Sequence, residues 1–304
     1  MSRYGKVALM TFGLAILLFI AWQQRAAMSD AAAQIRSSWA FISLCILVAA
    51  NIFAAYLFAT ILRDRVTSAP SSAELAGSFL VAQAGKYLPG KIWPIVLQAF
   101  YLNQRVGTTQ VAIVNLEVAL LCLGVTAALG ASLLLTALAS PLWAVLLMGL
   151  ALTFAQIMLR SNALEHLGTS ILSRLGQFRN APPCSRSPDP KRSWRSFMLL
   201  AAFLLAHLTG WMLFTGPSLD HDLGSGLRWT ALISLSYVIG IASLFPAGLG
   251  VRELSMMGIA PSLGLDVDEA AGIALLSRLL LVALDLSGAA AGSIFLLANK
   301  RERG

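Results

Sequence analysis

Two short stretches set cations beside chain-breaking residues in otherwise apolar surroundings. The first reads Gly85-Lys86-Tyr87-Leu88-Pro89-Gly90-Lys91-Ile92-Trp93-Pro94, the second Phe245-Pro246-Ala247-Gly248-Leu249-Gly250-Val251-Arg252-Glu253. In the first, Pro89 removes an amide donor and disfavours helix at Leu88, and Gly90 lets the chain reverse. A half-helix starting at Lys91 would present free amides and a positive dipole end, a combination that binds anions. Lys86 and Lys91 either add charge to that end or extend to the membrane interface. In the second stretch Pro246, Gly248 and Gly250 are the breakers, and Arg252 falls where a half-helix would begin. An arginine there can hold a phosphate or carboxylate through two parallel hydrogen bonds, which a lysine cannot. The alternative is an internal ion pair with Glu253 or another membrane acid.

Glu117, Arg278 and Asp285 lie inside apolar runs, where an ionisable group costs about 2.5–3.5 kcal/mol on insertion scales and so faces a partner or a cavity. Glu117 follows Pro89 by 28 residues and Arg278 follows Pro246 by 32. This spacing predicts that Glu117 pairs with Arg278 or Arg252, as a permanent salt bridge or as a counter-charge released when an anionic head group binds. Asp285, seven residues after Arg278, is expected to orient that arginine. No catalytic set, cofactor motif or metal site is expected. His166, His207 and His221 are scattered, Cys45, Cys122 and Cys184 have no ligand or disulfide spacing, and there is no Gly-Lys-Ser/Thr phosphate loop.

The elements that must position these residues follow from composition. Of 304 residues, 58% are hydrophobic and 12% charged, and mean hydropathy is +0.76. A soluble fold carries roughly 25% charged residues, so a soluble globular enzyme is excluded and the bilayer is the solvent. The 22 basic against 14 acidic residues would suggest nucleic acid in a soluble protein; here their placement gives orientation instead, and no nucleic-acid partner is expected.

Apolar runs of crossing length occupy 6–22, 39–62, 109–138, 141–159, 196–216 and 270–297. The run 6–22 follows Arg3 and Lys6 like a signal peptide but is long enough for a retained anchor. Loop 160–195 is strongly basic, as are Arg3/Lys6 and the tail Lys300, Arg301 and Arg303, so these are expected to be cytoplasmic. Walking the chain from a cytoplasmic N-terminus then requires 72–102 and 229–263 each to enter and leave by one face, as re-entrant broken-helix hairpins. The predicted architecture is an all-α polytopic membrane protein of six full spans and two such hairpins. Residues 1–138 form a first repeat and 139–304 a second, of inverted topology, the latter including loop 160–195. In such folds a substrate site lies where the broken helices meet. Within the loop, Leu164, Leu167, Ile171, Leu172, Leu175 and Phe178 are spaced for one helix face, either an interfacial helix or a cap packed on the bundle.

The stretches Gly85–Trp93 and Ser243–Glu253, with Arg278 in Leu276-Ser277-Arg278-Leu279, resemble the lysylphosphatidylglycerol synthase transmembrane-region family. Pro-Ala-Gly-Leu-Gly-Val-Arg-Glu is the most specific of these motifs. The resemblance covers most of the chain, with one departure: the family usually shows Glu-Arg on the span after the first hairpin, whereas Val118 follows Glu117 here. The resemblance implies a flippase-like protein that handles lipids with charged head groups, anionic or glycan-linked. It further implies the inner (plasma) membrane of a prokaryote and a possible envelope-biosynthesis enzyme as partner. The family's synthase activity belongs to a separate soluble domain, and seven residues follow 297, so no enzymatic activity is expected. The expected function is a lipid translocase working by alternating access, with Lys86, Lys91, Arg252 and Arg278 contacting the head group and Glu117, Glu253 and Asp285 as counter-charges. Two rivals share the same residues: a membrane transferase using a polyprenyl-phosphate donor, and a non-transporting scaffold for envelope lipid synthesis.

Overall fold

The structure, a computed structural model, describes residues 37–66, 69–87, 93–102, 106–138, 140–161, 163–174, 190–217, 219, 221–243, 248 and 250–301. Among these, all regular structure is helical: α1 (Ser37–Arg65), α2 (Ser72–Gln83) running into a 3-10 turn (Ala84–Tyr87), α3 (Trp93–Tyr101), α4 (Thr108–Leu138), α5 (Pro141–Arg160), α6 (Ala163–Arg174), α7 (Pro190–Thr215), α8 (Leu223–Ala242), α9 (Val251–Ile259) continuing as a 3-10 turn (Ala260–Leu263), and α10 (Val267–Arg301). Helix is what a bilayer demands of an open chain, because every backbone donor and acceptor must be satisfied within the segment.

Six of the described helices are long and apolar enough to cross a membrane, at Ser38–Arg65, Thr108–Thr136, Pro141–Arg160, Ser193–Thr215, Leu223–Ala242 and Val267–Leu297. Five match expected spans, and the expected run 6–22 lies outside the described residues. The other, α8, is longer than the half-helix anticipated at the start of 229–263. Its polar residues, which made the apolar run look shorter, have local roles. The Asp222 carboxylate accepts from the Ser225 amide at 3.1 Å and caps the helix, and Arg228 Nη1 donates to the Leu263 carbonyl at 3.2 Å. That second bond ties the start of α8 to the end of the α9 extension, so the two limbs run antiparallel from a common base.

The segment 72–102 is broken into two short helices, α2 and α3, of 12 and 9 residues. At 1.5 Å per residue each is well under the ~30 Å of a bilayer core. A polar chain links them to the next span: Asn115 Nδ2 donates to Gln98 Oε1 at 2.6 Å and Gln98 Nε2 to Ser78 Oγ at 3.4 Å.

The helices interlock reciprocally. Besides the α1–α7 pair, α2 packs chiefly on α10 and α8 on α4, so early and late helices of the chain are interleaved. Small residues permit the close approach. A Cβ on Gly77 would sit 2.9 Å from the Gly292 carbonyl oxygen, and one on Gly130 2.9 Å from Leu235 Cγ. Two apolar cores flank this interlock. One gathers α1, α2 and α4 with Leu200, Phe203 and Leu204 of α7; the other gathers α7 to α10 with Leu47 of α1. Helix α5 is peripheral, with Leu142, Trp143, Val145, Leu146, Leu150, Phe154 and Ile157 exposed, as befits a helix facing lipid. Helix α6 packs on α4 and α5, with Leu164 against the first core and Glu165 buried. Leu167 on the expected face is exposed, and the side chains of Ile171, Leu172, Leu175 and Phe178 lie outside those described.

Candidate functional site

Between the two cores lies a cavity of 280 Å3, lined by α1, α2, α4, α7, α8, α9 and α10 and by the Lys86 turn. Its walls are mainly apolar. Three cations reach it, Lys86, Arg252 and Arg278, together with Asp285 and the neutral polar residues Asn51, Gln83, Asn115, Thr126, His207 and Tyr237.

Local backbone geometry explains how Arg252 arrives there. Gly248 has φ 65° and Gly250, the residue preceding α9, φ 77°, a left-handed conformation that favours glycine. A Cβ on Gly248 would lie 2.8 Å from Gly240 Cα, so the turn packs directly on the backbone of α8. Helix α9 then starts at Val251 and turns Arg252, 3% exposed, into the cavity. There its Nη2 donates to Ser277 Oγ at 2.9 Å, and Ser277 Oγ in turn donates to the Ala274 carbonyl at 2.9 Å.

Each of the other two cations is matched to an acid on a different element. Lys86 Nζ lies 2.6 Å from Asp285 Oδ2. Arg278 Nη1 pairs with Glu253 Oε1, and the Glu253 side chain is fully buried. Its second oxygen has no hydrogen-bond partner among the described residues, so Arg278 supplies the charge compensation that a buried carboxylate requires.

Two expected pairings are corrected. Glu117 does not meet Arg278 or Arg252: Arg65 Nη2 donates to both of its oxygens at 2.8 Å, with Glu165 of α6 at 3.8 Å from the same nitrogen. The reason is register, because Glu117 in the early turns of α4 lies beside the last turn of α1. Glu117 is absent from the cavity wall, although its neighbours Val118 and Ala119 line it. Asp285 does not orient Arg278. Seven residues are two turns and about 10 Å of helix rise, which carries Asp285 past the α9 contact to Lys86. Of the remaining expected site residues, Pro89, Gly90, Lys91 and Pro246 lie outside the described residues.

Arg65, off the cavity wall, was detectable as the cation at the end of the span before Glu117. Several cavity residues carried no pattern in the sequence. His207 looked like one of three scattered histidines, yet it faces the cavity from α7. Tyr237, Asn51 and Asn115 read as ordinary polar residues within apolar spans. Among the described residues no group of three or more His, Cys, Asp or Glu is placed to hold a metal ion.

An all-helical, multi-pass membrane bundle with an internal, charge-lined cavity is the class of protein that this geometry defines. Family comparison places it further: residues 6–286 match the lysylphosphatidylglycerol synthase TM region, nearly the whole chain, and the protein belongs to that family. Comparison with curated proteins finds no match.

Proposed function

We propose that this protein is a lipid translocase that takes an anionic or lipid-linked head group into the cavity between its halves and passes it between leaflets by alternating access. The observation that carries this is the convergence of Lys86, Arg252 and Arg278 on one cavity with otherwise mostly apolar walls. A phosphate-bearing head group meets charge and bidentate donors there, and its chains meet hydrocarbon. The nearest counter-charges are Asp285 and Glu253, each ion-paired to one of the cations, while Glu117 neutralises Arg65.

The reciprocal packing of α2 on α10 and α8 on α4 is what two repeats of inverted topology, 1–138 and 139–304, would produce. The limbs joined at Arg228 and Leu263, and the short α2 and α3, suit hairpins that return to the face they left. In this reading the termini and loop 160–195 are cytoplasmic, the membrane is the inner membrane of a prokaryote, and the chain moves lipid without making or breaking bonds. An envelope-biosynthesis enzyme would supply or use that lipid.

The test is reconstitution in liposomes with anionic and zwitterionic reporter lipids, following leaflet exchange for wild type and Arg252→Ala at matched fold and yield. Exchange that favours the anionic reporter and is lost in the variant supports the reading. A well-folded wild type that exchanges neither reporter overturns it.

A further inference from the structure

His207 is nine-tenths buried, lines the cavity, and its Nε2 has no hydrogen-bond partner among the described residues. The ring does not pivot freely. Phe203 lies one turn before it, with ring centroids 5.5 Å apart, and Trp211 one turn after, edge-on at 6.2 Å. Those contacts fix the imidazole within an aromatic ladder on α7. A buried polar atom without a partner destabilises a fold unless something binds it, and a ring held by its neighbours is suited to wait for that partner.

Helices α1 and α7 run antiparallel, since Leu47 shares a core with Trp211 and Phe214 whereas Ala50 and Ala54 share one with Phe203 and Leu204. This register sets Asn51 of α1 level with His207, and both line the cavity. An imidazole and a carboxamide each offer a donor and an acceptor, the pattern that hydroxyl groups require, whereas a guanidinium or ammonium can only donate. The cavity therefore offers groups that only donate, suited to phosphate, beside groups that also accept, suited to hydroxyls.

We infer that His207 is a specificity-determining residue whose Nε2 hydrogen-bonds a hydroxyl of the bound head group, so that the cavity selects a hydroxyl-bearing phosphodiester lipid over a lipid phosphate lacking hydroxyls. This rests on the proposed lipid-handling function and narrows its substrate class. The apolar remainder of the wall, including Leu47, Leu281 and Leu284, assigns the ligand to a lipid rather than to a free polyol phosphate.

The test is equilibrium binding to the purified full chain in detergent, using short-chain phosphatidylglycerol and short-chain phosphatidic acid, with glycerol 3-phosphate as a chain-free competitor. His207→Phe keeps a ring between Phe203 and Trp211 and removes the nitrogens; His207→Gln restores a donor and an acceptor. The expected result is a preference of wild type for phosphatidylglycerol that falls about five-fold in His207→Phe, the worth of one neutral hydrogen bond, and recovers in part in His207→Gln. Phosphatidic acid should bind wild type and His207→Phe alike. Equal weakening of both lipids in His207→Phe, or no change in either, overturns the role of His207. Competition by glycerol 3-phosphate as strong as by the lipid overturns the lipid assignment. Arg252→Ala separates the two levels: it should weaken both lipids, and if neither lipid depends on Arg252 the function itself fails, whatever His207 does.

Discussion

Arg278 and Asp285 stand seven residues apart on one helix, α10, and hold two different segments: Arg278 pairs with Glu253 of α9, and Asp285 with Lys86 at the end of α2. One helix thus presents a cation to one broken segment and an anion to the other. Because both pairs border the same cavity, an anion entering it competes with Asp285 for Lys86 and with Glu253 for Arg278. Binding is therefore coupled to the contacts that tie α10 to α9 and to the end of α2.

The Glu253–Arg278 pair sets a large stability difference between single and double variants. Arg278→Met strands a fully buried carboxylate and should cost about 3–5 kcal/mol. Glu253→Gln combined with Arg278→Met should recover most of that. Thermal unfolding of the purified protein followed by tryptophan fluorescence checks this, and a double variant no better than Arg278→Met would refute it.

Lys86 and Asp285 form an asymmetric pair, 31% against 2% exposed. Lys86→Met takes the cation from a buried carboxylate and should cost about 1–3 kcal/mol, less than for a pair buried on both sides because water reaches Lys86. Adding Asp285→Asn should recover most of that. The comparison to make is Lys86→Met with and without Asp285→Asn: similar folds, but lower exchange of an anionic reporter in both than in wild type.

Gly248→Ala tests the turn that presents Arg252. The left-handed backbone adds roughly 1–2 kcal/mol for a residue with a Cβ, and the 2.8 Å approach to Gly240 Cα forces the turn off α8. Both stability and anionic-lipid binding should fall, whereas Gly124→Ala, where an added Cβ meets nothing within 4 Å, should change neither.

Arg65→Ala should destabilise the protein by about 3–5 kcal/mol, because Glu117 is 2% exposed and loses its cation. Glu117→Gln should be milder, and neither should alter the preference among lipids, since this cluster lies off the cavity wall. A shift in lipid preference in Glu117→Gln measured by the same binding titration would return Glu117 to the site.

The helical class and five of the six crossing-length helices were legible because a long apolar run has one stable form in lipid. The helix ends at Tyr87 and Ala242 and the helix starts at Trp93 and Val251 bracket the two expected interruptions, although Pro89, Gly90 and Pro246 themselves lie outside the described residues. The full length of α8 was hidden by Asp222 and Arg228, whose polar side chains serve as a cap and as a tie to Leu263 rather than marking a loop. The pairing of charges was not legible at all. Sequence spacing puts Glu117 and Arg278 in comparable places, but which acid meets which cation depends on how helices from different halves cross, and that is set by contacts such as Gly77 on Gly292. His207 escaped notice for a related reason: a lone histidine on an apolar helix carries no pattern until the cavity beside it is seen.

The interlock of α2 with α10 also has a temporal side. Gly77 and Gly292 are 215 residues apart, so at about 5–20 residues per second the ribosome needs roughly 10–40 s between making one surface and making its partner. Throughout that interval the glycine-bearing face of α2 and the ammonium of Lys86 have no α10 to meet. The packing of α2 and the pairing of Lys86 with Asp285 are therefore completed only once α10 has been made.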